Sequence, residues 1–443
     1  MLKTSIYPHQ ERCLKWMNVR KGGLIGNDMG TGKTMVMLEY AFTHGALIVV
    51  PPSLVAQFRG EVFRHFGYHP NMFAVYHGRG KNQQMFEDYR VVLTTYETIL
   101  SEKRTKPNSK LFTKKFSTMI LDEAHRIRNM RSKTFKVLDL MSAEERWCFT
   151  GTPVFNTLKD LRSLSKFIRS ETSPGVLRVG ETLAENVKEW REQNFFRVSR
   201  EEVLDLPQIT RQNQYLPMDS NASNQEAIQS VKSDCPLVKI LRMRQHAVHP
   251  GMVNKSIRVT SCPKFDWITK EIQQHDDDAF LIFSQFTTAL EMLKKHLENY
   301  QVGASLYTGK QSNSQKAASV DRLMHGHDRV LLLNTNTGGV GLNLTQANRV
   351  IFLDPCWNEA TENQALSRSW RLGQTRPVKV DHLMTLGSIE MWLNSVQLNK
   401  MEHNNMFLHG IEFSRDQSES KKILDSLMAC VKCPPQEESP LQV

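Results

Sequence analysis

GNDMGTGKT, residues 26–34, is the stretch on which the reading of this chain turns. The phosphate-gripping pattern Gly-x-x-x-x-Gly-Lys-Ser/Thr asks for glycine at position 27, and the chain has Asn27; Gly30, Gly32, Lys33 and Thr34 are in place. A short apolar strand, GGLIGN, leads into the turn DMGTGK, and TMVMLEYAF continues as a helix from about Thr34. That order aims backbone N–H groups and a helix N-terminus at phosphate oxygens. Lys33 supplies a point charge for the β- and γ-phosphates, and the Thr34 hydroxyl is a ligand of the kind Mg²⁺ accepts. Asn tolerates turn conformations better than most residues with a side chain, so Asn27 is expected to replace glycine for that reason.

About ninety residues on, the apolar run TMIL ends in Asp122-Glu123-Ala124-His125. Two acids at a strand tip suit phosphoryl transfer, one holding the metal and one orienting or deprotonating the attacking water. DEAH alone is an ordinary solvated strand end. Behind a GKT, on a second strand, it becomes a catalytic signal.

Other short apolar runs repeat the pattern. YRVVLTTY, ALIVV and RWCFTGTP join GGLIGN and TMILDEAH in the first half; AFLIFSQF, ASLYTG, RVLLLNTN, RVIFLDP and VKVDHLMTL follow in the second. Near-continuous Val/Ile/Leu runs separated by amphipathic stretches predict parallel strands buried on both faces. Two such series predict an α/β protein of two parallel-sheet lobes, with ligands at the strand tips. The stretch LPQITRQNQYLPMD reads as a connector, and NQEAIQSVKSDCPLVKILRMRQHAVHPG as a helical insertion interrupted at Pro236. The expected domains are residues 1–205, a connector and helical segment 206–262, a second lobe 263–400 and a loosely held tail 401–443.

The chain's 443 residues, 40% hydrophobic and 23% charged, describe a soluble globular protein with room for two or three domains. No apolar run reaches the ~18 residues of a membrane span. The start MLKTSIYPHQ lacks the apolar core of a signal peptide, and seven scattered cysteines fit a reducing compartment. Basic residues exceed acidic ones by 57 to 46, a net +11 that fits a polyanionic partner without establishing one. SEKRTKPNSKLFTKK and RIRNMRSK read equally as backbone-holding loops or solvated basic ones. Cys430-Val431-Lys432-Cys433 is half of a zinc-ligand set with no second pair near it.

The succession DMGTGKT, IVVPPSLVAQF, VVLTTYETI, MILDEAHRIRN, FTGTPVFNTLKDLRSLSKF, FLIFSQF, TGGVGLNLTQANRVIFLDPCWN and QALSRSWRLGQTRPV resembles the Swi/Snf-like branch of the superfamily-two helicase-related ATPases. It does so from YPHQ at residues 7–10 to SIEMW at 388–392. LRMRQHAVHP is similar to the segment before the second lobe in the branch of RING-bearing repair translocases, and the compact length resembles virus-encoded members such as the baculovirus global transactivators.

The resemblance implies two RecA-like lobes, ATP and Mg²⁺ as cofactors, and a DNA-dependent ATPase that translocates on double-stranded DNA and displaces DNA-bound proteins. It implies that Gln10 reads adenine, that Asp28, Met29, Gly30, Thr31, Gly32, Lys33 and Thr34 form the nucleotide loop, and that Gly341 of the second lobe joins the nucleotide. Thr34 and Asp122 would hold the metal, Glu123 would position water, and Arg368 and Arg371 match the arginine-finger positions. Thr95, Tyr96, Thr152, Ser284, Gln285, Gly338 and Gly339 would contact the nucleic-acid backbone. A monomeric motor in a nucleus or viral replication compartment is the corresponding expectation. A strand-separating DNA or RNA helicase, or a DNA-binding regulator with incidental ATPase, are the other functions this pattern admits. The sequence departs from the family at Asn334, Asn336, Thr337, Cys356 and Trp370, positions expected to affect packing and strand grip.

Overall fold

The structure is a computed structural model that describes residues 4–67, 72–79, 81–151, 158–173, 183–203, 205–218, 236–253, 262–335, 342–356, 359–371 and 373–393. The chain divides into two compact units between Asp205 and Leu206.

In the first unit the strands are β1 (Gly22–Ile25), β2 (Ala46–Val50), β3 (Phe73–Tyr76), β4 (Val91–Thr95), β5 (Lys115–Asp122), β6 (Ser142–Phe149) and β7 (Phe195–Phe196). They form one sheet in the order β3-β4-β2-β5-β6-β1-β7, and every pairing is parallel. The second unit holds β8 (Ile209–Leu216), β9 (Phe280–Ser284), β10 (Ala304–Tyr307), β11 (Val330–Asn334), β12 (Arg349–Phe352) and β13 (Val378–Thr385). These are ordered β10-β11-β9-β12-β13-β8, again all parallel. Two parallel-sheet α/β lobes are therefore present, as the apolar runs predict.

Burial explains the strand compositions. Each residue of ALIVV in β2, FLIFS in β9 and VLLLN in β11 is buried, because helices cover both faces of each sheet. Each such Leu, Ile, Val or Phe contributes about 1.5–3 kcal/mol by leaving water. The first core gathers around Leu47, Leu121, Phe167 and Trp190; the second around Phe265, Ile282, Leu290 and Leu332 on one face and Leu281, Phe283, Leu333 and Trp370 on the other.

One element differs from expectation. The supposed connector contains β8, eight residues in register with β13 from Val378↔Ile209 to Thr385↔Leu216. It reads as a linker because, as a sheet edge, its side chains are mostly exposed and polar. The helix Pro236–Val248 opens on Pro236, the position at which the missing N–H costs nothing, and the part of the expected helical insertion before it, residues 219–235, lies outside the described residues. The tail 401–443, with CVKC, lies outside the described residues.

Because the strands of each sheet run the same way, their C-terminal tips share an edge. In the first lobe that edge carries Gly26–Gly32 after β1, Thr95-Tyr96 after β4, Asp122-Glu123 after β5 and Thr150-Gly151 after β6.

Candidate active site

The phosphate loop is built by its glycines. Gly30 and Gly32 have φ of 87° and 82°, left-handed values that side chains resist. A Cβ on Gly32 would also stand 2.2 Å from Gln10 Nε2. Helix α2 (Lys33–His44) begins directly after Gly32, so its free N–H groups face the loop.

Asn27 is absent from the left-handed residues, so turn tolerance is not why it stands in the glycine position. Its side chain is buried, and its Oδ1 accepts from Val198 N at 3.0 Å. Gly26 N donates to Phe196 O at 2.8 Å and Asp28 N to Val198 O at 3.1 Å. The Asp28 carboxylate accepts from Arg197 Nη2 at 3.3 Å and Arg200 N at 3.1 Å. The loop is thus stitched to the segment after β7.

Lys33 folds back on this loop, donating from Nζ to Asn27 O at 2.7 Å and Asp28 O at 3.1 Å. Burial lowers its pKa, while Glu123, Asp122 and Asp28 pull it up and Arg200 adds to the lowering. A Cβ on Gly151 would lie 3.7 Å from Nζ, which puts the tip of β6 against the lysine.

Asp122 ends β5 and is buried beside Glu123. Burial, and then the Glu123 charge, push its pKa up to about 7, against the pull of Lys33 and the Glu123 N–H, which donates to Oδ1 at 3.0 Å. Glu123 itself is left-handed at φ 50°, ψ 49°, a strained conformation for a residue with a Cβ. Its Oε2 lies 3.2 Å from His125 Nδ1. The backbone at this corner is held by Tyr96, whose hydroxyl donates to Asp122 O at 2.7 Å.

The buried Asp122 carboxylate lies beside a second one, and burial and this local excess of negative charge oppose its ionisation. A divalent cation relieves that excess, and Asp122 and Thr34 offer the hard oxygen ligands Mg²⁺ prefers. Among the described residues no group of three or more His, Cys, Asp or Glu is placed to hold a metal ion by itself.

Gln10, in α1 (Pro8–Asn18), lies against the loop. Its Oε1 accepts from Tyr7 N at 3.0 Å, and its amide nitrogen reaches Thr31 O and Gly32 O only at 3.4 Å each. These long bonds leave the donor readily exchanged for a better acceptor. His9 Nε2 meets Thr31 O at 2.8 Å and braces the same turn.

The expected nucleic-acid residues divide. Thr95 is buried and caps the helix Tyr96–Thr105, its Oγ1 accepting from Thr98 N at 3.1 Å. Tyr96 is buried and serves Asp122 as described. In the second lobe, buried Ser284 donates to Asp354 Oδ1 and Gln285 Nε2 donates to Asp354 Oδ2, so one carboxylate ties them together. Arg244 Nη2 reinforces that corner through Pro355 O at 3.1 Å. The hydroxyls expected to face a backbone phosphate at Thr95, Tyr96 and Ser284 are therefore turned inward; Gln285 alone of these four is partly exposed. Thr152, Gly338, Gly339 and Gly341 lie outside the described residues.

Arg368 is buried, close enough to Tyr307 to act on its ionisation, and its carbonyl accepts from Leu344 N at 2.9 Å. Arg371 is partly exposed, with Nη1 donating to Leu342 O at 3.3 Å. Between them Trp370 packs into the core and donates from Nε1 to Pro207 O at 2.8 Å. Cys356 joins the same core, and Asn334 Nδ2 donates to Gln285 O at 2.9 Å. These departures from the family pattern are packing and bracing residues.

Among the described residues no helix is long and apolar enough to cross a membrane. A family model described as SNF2-related domain matches residues 9–252, and one described as Helicase conserved C-terminal domain matches residues 263–373. A probable global transactivator of Orgyia pseudotsugata multicapsid polyhedrosis virus is 27% identical, over 90% of each chain. Protein CHROMATIN REMODELING 24 of Arabidopsis thaliana is 24% identical over 90% of this chain and 46% of its own length. Chromodomain-helicase-DNA-binding protein 1-like of Danio rerio is 27% identical over 93% of this chain and 45% of its own. The chain thus spans most of the viral relative and under half of the plant and fish ones. Among solved structures, the Sulfolobus solfataricus SWI2/SNF2 ATPase core in complex with dsDNA aligns at a TM-score of 0.42 and 22% identity, covering 95% of this chain and 97% of that one.

Proposed function

The chain belongs to the SNF2-related family and carries its helicase-like ATPase domains, and from that premise we propose that it is an ATP-driven translocase on double-stranded DNA that displaces or remodels bound proteins. The observation that carries the reading is the meeting of Lys33 with Asp122 and Glu123 at one edge of the first sheet.

Lys33 exchanges the carbonyls of Asn27 and Asp28 for phosphate oxygens, and the N-terminus of α2 donates to the same group. Gln10 trades its long bonds to the loop for the adenine edge. Asp122 and Thr34 would hold Mg²⁺, which would supply charge neutralisation on the phosphates. Glu123, fixed in its unusual backbone and steadied by His125, orients the attacking water and takes its proton. Arg368 and Arg371 stabilise the transferring phosphoryl group, a contribution of ~10³–10⁵ in rate. Hydrolysis then depends on the second lobe, and turnover becomes motion.

DNA is held through backbone phosphates, by main-chain N–H groups at the strand tips and by Gln285, contacts that carry no sequence information. The net charge of +11 supports a polyanionic partner. The viral relative's designation as a probable global transactivator supports action on proteins that govern transcription.

The experiment compares ATP turnover with and without duplex DNA for the wild type and Glu123→Gln, alongside release of a triplex-forming third strand. Duplex stimulation, abolished by the substitution, with third-strand release and an intact duplex, is the expected result. Turnover indifferent to duplex or to the substitution sinks the proposal; parting of the duplex makes the protein a helicase instead.

A further inference from the structure

The loop and the arginine segment are each anchored to opposite ends of one short piece of chain. On the first-lobe side, Gly26, Asn27 and Asp28 all bond to residues 196–200: Gly26 N to Phe196 O, Asp28 N to Val198 O, Asn27 Oδ1 to Val198 N, and the Asp28 carboxylate to Arg197 Nη2 and Arg200 N. Phe195 is packed so closely on the loop's start that a Cβ on Gly26 would meet its ring at 2.2 Å. On the second-lobe side, Pro207 O accepts from Trp370 Nε1 at 2.8 Å, and Gln208 O from Val378 N at 2.9 Å. Leu206 and Ile209 pack on the cluster that contains Trp370. Residues 201–205 separate the two anchors, and the single helical turn Arg200–Val203 leads into them.

We propose that residues 196–208 are a tether that transmits the state of the phosphate loop to the arginine segment, with Trp370 and Arg197 as its positioning residues. Trp370 lies between Arg368 and Arg371 in the chain, so a pull on Pro207 is felt by the backbone that carries both guanidiniums. The indole suits this task in a way that other packing residues do not: its ring fixes the segment in the core while its one N–H grips the incoming strand. The loop end of the tether is polar, and its acceptors are the residues that Lys33 also uses, Asn27 and Asp28. A rearrangement of Lys33 upon phosphate binding therefore reaches Val198 and Arg200 directly. The inference rests on the proposed role of Arg371 in hydrolysis.

The test lengthens the tether without touching either anchor. Two glycines are inserted after Asp205, and as a control the same pair is inserted beside Gly326, a left-handed turn residue with open space around it. Trp370→Phe, which keeps an aromatic ring and removes the N–H, is the second variant. Duplex-stimulated kcat, KM for ATP and the melting curve are measured for all. The tether predicts that the Asp205 insertion lowers kcat by about 10²-fold, the loss typical of a catalytic group displaced by an ångström or so. KM and melting stay near wild type, the control insertion is silent, and Trp370→Phe shifts the same way by a smaller factor. An unchanged kcat in the Asp205 insertion overturns the tether while leaving the motor standing. A loss of kcat that tracks lowered melting in both variants overturns it also, in favour of a purely structural role. A wild type without ATPase removes the functional premise, and the tether falls with it.

Discussion

Replacing Asp122 by Asn is expected to make the nucleotide-free protein more stable while abolishing turnover. Asp122 sits at about 7 against an ordinary carboxyl value of 3.8, because it is buried beside Glu123. A folded-state pKa above the unfolded one means that folding retains a proton which the unfolded chain has shed. The stabilisation is fully present below the unfolded carboxyl range and is lost as pH rises toward the folded value. Each unit in that window costs about 1.4 kcal/mol. From about pH 5.5 to about pH 8 the wild type loses roughly 2 kcal/mol from this residue, the last unit adding little because the folded carboxyl is by then mostly ionised. Asparagine keeps the acceptor for Glu123 N–H and removes the charge, so that increment disappears. Urea melts at the two pH values measure it, with the first-lobe transition identified in the wild type as the one ATP raises. Superimposable pH dependences for the two proteins, or a variant weaker than wild type at pH 8, refute the argument that this site is held in electrostatic excess.

Asn27→Gly restores the customary glycine yet is expected to destabilise the first lobe by about 1–3 kcal/mol, since the buried Val198 N–H loses its acceptor; equilibrium unfolding checks it, and a neutral or stabilising effect contradicts the clip. Lys264 is buried with Nζ 2.8 Å from both oxygens of Glu390 and 2.7 Å from Leu353 O. Lys264→Met takes the buried counter-charge from Glu390, leaving Thr385 N–H donating to it at 2.8 Å, and costs the second lobe about 3–5 kcal/mol, and adding Glu390→Met recovers most of it. A double-mutant cycle on second-lobe unfolding reads the coupling, and additive losses count against it. The same cycle bears on the site, because the carbonyl that Lys264 grips directly precedes Asp354, the residue that ties Ser284 to Gln285.

What the sequence disclosed and what it withheld divide along a physical line. Strands buried on both faces, such as β2 and β11, announce themselves by unbroken apolar runs. Polar or very short edge strands do not, although the edge strand β10 is legible as ASLYTG: β8 is polar because water meets most of it, and β7 is two residues long. Lys33, Asp122 and Glu123 are legible because their spacing from strand ends is local. The work of Asn27 is not, since its partner Val198 is 171 residues away. Nor does a motif reveal that Tyr96 points inward to Asp122, that Glu123 is left-handed, or that Asp354 takes up the side chains of Ser284 and Gln285. Such facts depend on which strands become neighbours. Trp370, read as a packing substitution, does pack, and only the fold shows that its N–H reaches Pro207.

In the proposed mechanism, catalysis set up by Lys33, Asp122 and Glu123 requires Arg371 of the second lobe. Single-turnover hydrolysis of ATP on duplex DNA by Arg371→Ala, read beside its affinity for a fluorescent ATP analogue, tests it most directly. The predicted result is binding within a few-fold of wild type and hydrolysis slower by about 10³ or more. Hydrolysis at the wild-type rate, or a loss accounted for wholly by weaker binding, contradicts it.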